Sequence, residues 1–95
     1  MKSEGTLLLT SREVTELLTA EECIGAVEHA FKLYGEGKTA PPGILGIQAK
    51  DGGFHIKAGL MDFERTYFVA KSNANFPNNR KFDLPPIQGV IVICD

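Results

Sequence analysis

Two consecutive prolines, Pro41-Pro42, divide this sequence into halves with different hydrophobic periodicities. Proline has no amide hydrogen and its ring clashes with the preceding turn, so no helix continues through that point. Upstream, apolar residues recur at helical spacing; downstream they alternate or run continuously, as strands do. Helices first and a sheet afterwards is the order of an α+β domain.

The upstream half has two helix-start signatures. Thr10-Ser11-Arg12-Glu13 has the Thr-x-x-Glu form of a capping box, and Val14, Leu17 and Leu18 follow at i, i+3, i+4. A second box, Thr19-Ala20-Glu21-Glu22, opens a longer helix with Cys23, Val27, Ala30, Phe31 and Tyr34 along one stripe, which is expected to be buried. Gly35 and Gly37 end it, with Lys32 and Lys38 near the negative end of its dipole. Ahead of both helices, Thr6-Leu7-Leu8-Leu9 reads as a short strand entering the core.

Downstream, Ile44, Ile47 and Ala49 lead to Asp51-Gly52-Gly53, a hairpin turn signal, and Phe54 to Leu60 return as the partner strand. Period two places Phe54, Ile56 and Ala58 on one face and His55, Lys57 and Gly59 on the other. A turn near Asp62 to Arg65 leads into a strand over Thr66 to Asn73, with Val69, Lys71 and Asn73 on one face. Phe76 to Pro86 reads as a loop. Ile87 to Cys94, the most apolar run, reads as a central strand covered on both faces.

A chain of 95 residues makes one small domain. Such a chain buries roughly 60–65% of the surface its unfolded form exposes, which favours association with a second copy or another domain. The formal net charge of -2 argues against a nucleic-acid module that works by neutralising phosphates. No apolar run approaches the roughly 20 residues of a membrane span. Met1-Lys2-Ser3-Glu4-Gly5 is followed by no long apolar leader region, so a signal peptide is not expected and the cytoplasm is the default. Cys23 and Cys94 lie far apart in apolar patterns, as buried thiols in a reducing compartment do. With two histidines and two cysteines at no ligand spacing, no metal site is expected.

The chemistry centres on Tyr67 to Arg80, a β-rich run with Lys71 in its middle that opens into a loop with four asparagines. A lysine there is either a solvent-facing charge that discourages edge pairing or a cation held on a rigid strand to meet a carboxylate or phosphate. His55 and Lys57 share a face of the preceding strand. If the two strands pair, an imidazole and two ammonium groups converge on one side of the sheet; otherwise that face is simply solvated. No Gly-x-Gly-x-x-Gly and no Walker-type segment is present.

Several segments together resemble the amino-terminal part of the ornithine cyclodeaminase, alanine dehydrogenase and mu-crystallin family. They are Leu7-Leu8-Leu9-Thr10, Glu22 to Phe31, Asp51-Gly52-Gly53-Phe54-His55-Ile56-Lys57, Tyr67 to Pro77, and Leu84-Pro85-Pro86-Ile87-Gln88-Gly89-Val90-Ile91. The resemblance implies a single partial domain over 1–95, a substrate-binding and dimerisation region with two helices packed on a mixed, largely antiparallel sheet of about five strands. It also implies that the dinucleotide-binding glycines and a catalytic aspartate lie beyond Asp95, so this chain holds no catalytic residue and binds no cofactor tightly by itself. In that family a lysine at the position of Lys71 holds the substrate carboxylate. The positions of His55 and Lys57 line the same pocket, and the strand with Gln88 approaches the nicotinamide of NAD or NADP. Two departures stand out. Gly43 and Ile44 follow Pro41-Pro42 where many members have an arginine, and Pro86 stands where many have threonine. Lys57, often methionine elsewhere, is by charge a candidate substitute for that arginine. The expected partners are a small amino or keto acid and a second copy of the chain, with neither nucleic acid nor membrane. The alternative is a non-catalytic binding or oligomerisation module.

Overall fold

The computed structural model describes residues 5–95; the charged start Met1-Lys2-Ser3-Glu4, read above as lacking a leader, lies outside them. Two compact units are present, one through Lys32 and one from Leu33 to Asp95.

The first unit carries helix α1, Ser11–Leu17, and most of α2, Ala20–Gly35. Both start where the capping boxes place them. Thr10 is extended, its hydroxyl oxygen accepts from the Glu13 amide at 3.2 Å, and its own amide donates to Glu13 Oε1 at 3.0 Å. Thr19 and Glu22 repeat the exchange at 3.1 and 3.0 Å. Two amides that a helix start would otherwise orphan are satisfied at each end. The apolar stripe of α2 does not become core: Val27, Phe31 and Tyr34 are exposed, Ala30 is half-buried, and Cys23 is an exposed free thiol. Leu33, 5% exposed, is the single buried apolar residue among those described. A chain this short has too few layers to cover every apolar face.

The second unit is a four-stranded sheet in the order β1-β2-β3-β4, with β1 Gly43–Ala49, β2 Gly52–Phe63, β3 Arg65–Asn75 and β4 Ile87–Cys94. Every pairing is antiparallel. The α+β class expected from the sequence holds, with four strands and no parallel pair among the described residues. The fifth candidate, Leu7-Leu8-Leu9, is not a strand: its side chains are 82%, 80% and 42% exposed and it joins no ladder. β4 is not central either. It pairs only with β3, forms an edge, and is exposed throughout. Its continuous apolarity matches a strand with two faces to cover, and the described residues cover neither.

Two left-handed residues set the hairpins. Asp51, at φ 67°, turns β1 into β2 one residue earlier than the glycines suggested, and Glu64, at φ 59°, sits alone between the paired Phe63 and Arg65. Gly52 and Gly53 therefore lie within β2. A side chain at Gly52 would run into the Asn75 carbonyl and the Phe76 ring, and Phe76 stacks edge-on against Phe54 with centroids 5.3 Å apart. The hairpin end is tied by Thr66, which donates to Asp62 Oδ1 at 2.6 Å. After α2, the Lys38 carbonyl accepts from Asp62 at 2.8 Å, and Ala40 donates to Leu60 at 3.3 Å, docking the connector on β2. The expected loop after β3 tightens into a 3-10 helix, Pro77–Phe82, closed when Phe76 donates to the Pro86 carbonyl at 2.7 Å.

The Glu13 carboxyl is held below the ordinary glutamate range, first by the Thr10 amide and then by its hydroxyl. A depressed folded-state value means that the cap contributes at and above the ordinary glutamate range and is lost as pH falls through the lowered one. In an NMR titration Glu13 is expected to protonate at lower pH than an unstructured glutamate. Thr10→Val, which removes the hydroxyl and keeps the amide, should raise that midpoint part of the way and fray α1; an unchanged midpoint would refute the hydroxyl's share in the cap.

Candidate functional site

Strand pairing decides which side chains share a surface, because directly opposed residues point to the same face. Lys57 is opposite Lys71, and the row extends to Ile44 on β1 and Ile91 on β4. The neighbouring row is Gly46, His55, Asn73, Gly89. His55, Lys57 and Lys71 are thus brought together as the alternating pattern required. Gln88 is not with them: it is opposite Ala74, on the other face, and its amide donates to the Pro85 carbonyl at 3.5 Å.

Every basic side chain within the four strands lies on this one face: His55, Lys57, Arg65 and Lys71. The only carboxylate within the strands, Asp62, is on the opposite face and accepts from Thr66. Just after β4, Asp95 reaches Arg65 at 3.0 Å, and Arg65 also donates to the Tyr67 hydroxyl at 3.1 Å. These partners push the guanidinium's affinity for its proton further up, the Tyr67 hydrogen bond most and Asp95 next. Arg65 is therefore satisfied within the chain. Lys57 and Lys71 are exposed, and neither has a carboxylate partner among the described residues.

The glycine-flanked row gives these lysines an open approach. The His55 ring lies over Gly46, where an added Cβ would sit 3.6 Å from the imidazole. The Asn73 amide oxygen lies over Gly89, 2.5 Å from where a Cβ would be. The two side chains lean toward opposite edges of the sheet, beside the lysine pair. Asn73 is half-buried, and its side-chain amide has no hydrogen-bond partner among the described residues. This face thus has two cations to attract an anion and an amide that can donate and accept beside them.

Asn73 was not singled out from the sequence, although its alternation with Lys71 was the available signal. Gly46 and Gly89 carried no such signal, because their role depends on register. Ile44 faces the same side as Lys57, so at the end of the Pro-Pro connector an apolar side chain stands beside a lysine that can supply the positive charge. Among the described residues no cluster of three or more His, Cys, Asp or Glu could hold a metal ion, and no helix is long and apolar enough to cross a membrane. A dinucleotide cradle needs a parallel strand-turn-helix unit with a glycine-rich turn. All pairings here are antiparallel, and the only helix following a strand is the short 3-10 helix, so the described residues do not fit that cofactor.

Over 89 residues the chain is 30% identical to alanine dehydrogenase of Archaeoglobus fulgidus, a match covering 93% of this chain and 26% of that protein. It also superposes on an archaeal alanine dehydrogenase solved as a dimer with bound NAD. There the TM-score is 0.83, with 28% identity over 93% of this chain and 27% of that one. No family model matches the chain. The resemblance read in the sequence is borne out for the amino-terminal portion of such enzymes, and the chain spans about a quarter of the length of the relatives it matches.

The contact between Asn73 and Gly89 is testable. Gly89→Ala would press on both the Asn73 amide and the Ser72 carbonyl, 2.7 Å away, and should destabilise the protein by about 1–3 kcal/mol in denaturant unfolding. Adding Asn73→Ala should recover part of that loss, because the pair is in contact. Purely additive effects would show that Asn73 does not lean on Gly89.

Proposed function

We propose that this chain is the substrate-binding and dimerisation portion of an NAD- or NADP-dependent amino-acid dehydrogenase or ornithine cyclodeaminase-like enzyme. Lys71 holds the carboxylate of a small amino or keto acid, Lys57 stands in for the arginine that Gly43 and Ile44 replace, and His55 and Asn73 border the bound molecule. The observation that carries this reading is the Lys57–Lys71 pair on a face to which the strands themselves contribute no carboxylate, the nearby Asp95 being paired with Arg65. The similarity to alanine dehydrogenase over nearly the whole chain supports it.

The chain's own contribution is to bind and orient. The Lys71 ammonium, on a rigid strand with the charge of Lys57 on its neighbour, fixes a carboxylate, and that fixes the direction in which the adjacent α-carbon points. The hydride chemistry belongs to a nicotinamide cofactor held by residues other than those described. Gln88, on the opposite face, is assigned to the cofactor side on the resemblance alone.

The second part of the proposal is association with a second copy, in the cytoplasm. Phe54, Leu60, Phe68, Val90 and Val92 are exposed on the face opposite the lysines. A monomeric soluble protein rarely leaves so much contiguous apolar surface open. The matched archaeal enzyme was solved as a dimer.

Two measurements test this reading. Lys71→Ala should weaken binding of alanine or pyruvate by about tenfold in calorimetry, the scale of one charge-assisted contact. Binding unaffected by the substitution would remove the lysine from the site. In sedimentation velocity the chain should run as a dimer, and Val92→Lys should shift it toward monomer; a monomeric parent chain would refute the dimerisation role.

A further inference from the structure

We infer that the ligand of this site carries two carboxylates, specifically that it is a small dicarboxylic amino or oxo acid; the inference rests on the carboxylate-binding reading above. The argument begins with charge balance. Like charges directly opposite on neighbouring strands destabilise a sheet, yet Lys57 and Lys71 are directly opposed. Of the strands' basic groups, Arg65 is neutralised by Asp95. Lys57 and Lys71 remain, two positive charges with no carboxylate partner among the described residues. The strands contain no carboxylate on this face to offset them. One bound carboxylate leaves one of these ammonium groups without a counter-ion, and a ligand with two gives each lysine its own.

The arrangement around the pair favours a carbon skeleton over a compact inorganic anion. Ile44 and Ile91 close the lysine row at both ends, giving apolar flanks to a short chain that joins two carboxylates. Asn73, beside Lys71 in the next row, has an unused amide for the amino or oxo group between them. Each lysine then takes one carboxylate: Lys71 the one next to the reacting carbon, Lys57 the distal one.

The test is calorimetric titration of the chain with 2-oxoglutarate, aspartate, pyruvate, alanine and inorganic phosphate at one ionic strength, followed by the same set on Lys57→Met and Lys71→Ala. Circular dichroism would verify that each variant is folded. The dicarboxylates are expected to bind about tenfold more tightly than their monocarboxylate counterparts, with Lys57→Met abolishing that ratio and Lys71→Ala weakening all four acids. If Lys57→Met weakens pyruvate and 2-oxoglutarate by the same factor, both lysines grip a single carboxylate. The dicarboxylate assignment then fails while the carboxylate site stands. Phosphate binding as tightly as 2-oxoglutarate would overturn the dicarboxylate assignment. Absence of binding by any of the acids, or indifference to Lys71→Ala, would overturn the underlying reading as well.

Discussion

The β2–β3 ladder is the constraint on which the site depends. Eleven consecutive pairs run from Gly53–Asn75 to Phe63–Arg65 without a bulge, and Glu64 closes them in a left-handed turn. Side chains alternate strictly along such a ladder, so a slip of one residue in β3 would carry Lys71 to the apolar face and bring Ala70 or Ser72 opposite Lys57. Several features oppose that slip. Glu64 pins the tight end, Asp62 and Thr66 bond across it, and Gly52 sits against Asn75 and Phe76 at the other end, where no side chain fits. The lysine pair is a consequence of this register, although the pair itself opposes it electrostatically.

That opposition is tolerable because both ammonium groups are exposed, and water screens them at the distance of opposed side chains. The segregation of charge across the sheet is harder to ascribe to solubility. A face meant only to be wet would mix both signs, as exposed surfaces generally do. Here the strands place all basic groups on one side and their single carboxylate on the other. The one acid that reaches the basic side, Asp95, is bound to Arg65 at the far end from Lys71's neighbours His55 and Asn73. The positive potential is thereby concentrated where the side chains diverge.

Much of this was legible in the sequence, for identifiable reasons. Capping boxes and two-residue alternation are local signals, so α1, α2 and the faces of β2 and β3 could be read directly. What failed depended on neighbours. The apolarity of β4 suggested a central strand, and the stripe of α2 suggested core, because composition reports what a residue prefers to touch and not what is there to touch it. Leu7-Leu8-Leu9 looked like a strand for the same reason, yet a strand exists only by pairing. Among the site residues, His55, Lys57 and Lys71 follow from alternation once the hairpin is assumed. Gln88 could not be placed, because its face depends on the β3–β4 register, and that is set across an eleven-residue connection. Gly46 and Gly89 are informative only beside the side chains that lean over them.

The apolar surfaces left open and the completeness of the cationic row have a common physical origin. Nearly all large apolar side chains are exposed, and among the described residues Leu33 alone is a buried apolar one, so long-range packing contributes little to the order of the sheet. The Lys57–Lys71 pair does not need that packing. Fourteen positions separate the two residues, and the hairpin between them is closed by backbone bonds and one turn, contacts of short sequence separation. A site built from local contacts keeps its geometry while the surfaces around it wait for cover. Burial of those surfaces would instead lower the local dielectric around the lysine pair and strengthen the proposed hold on a carboxylate. If the proposed second copy covers the apolar face, association and ligand binding would be linked through the same sheet, because each layer of water removed makes the uncompensated lysines costlier to leave without a ligand.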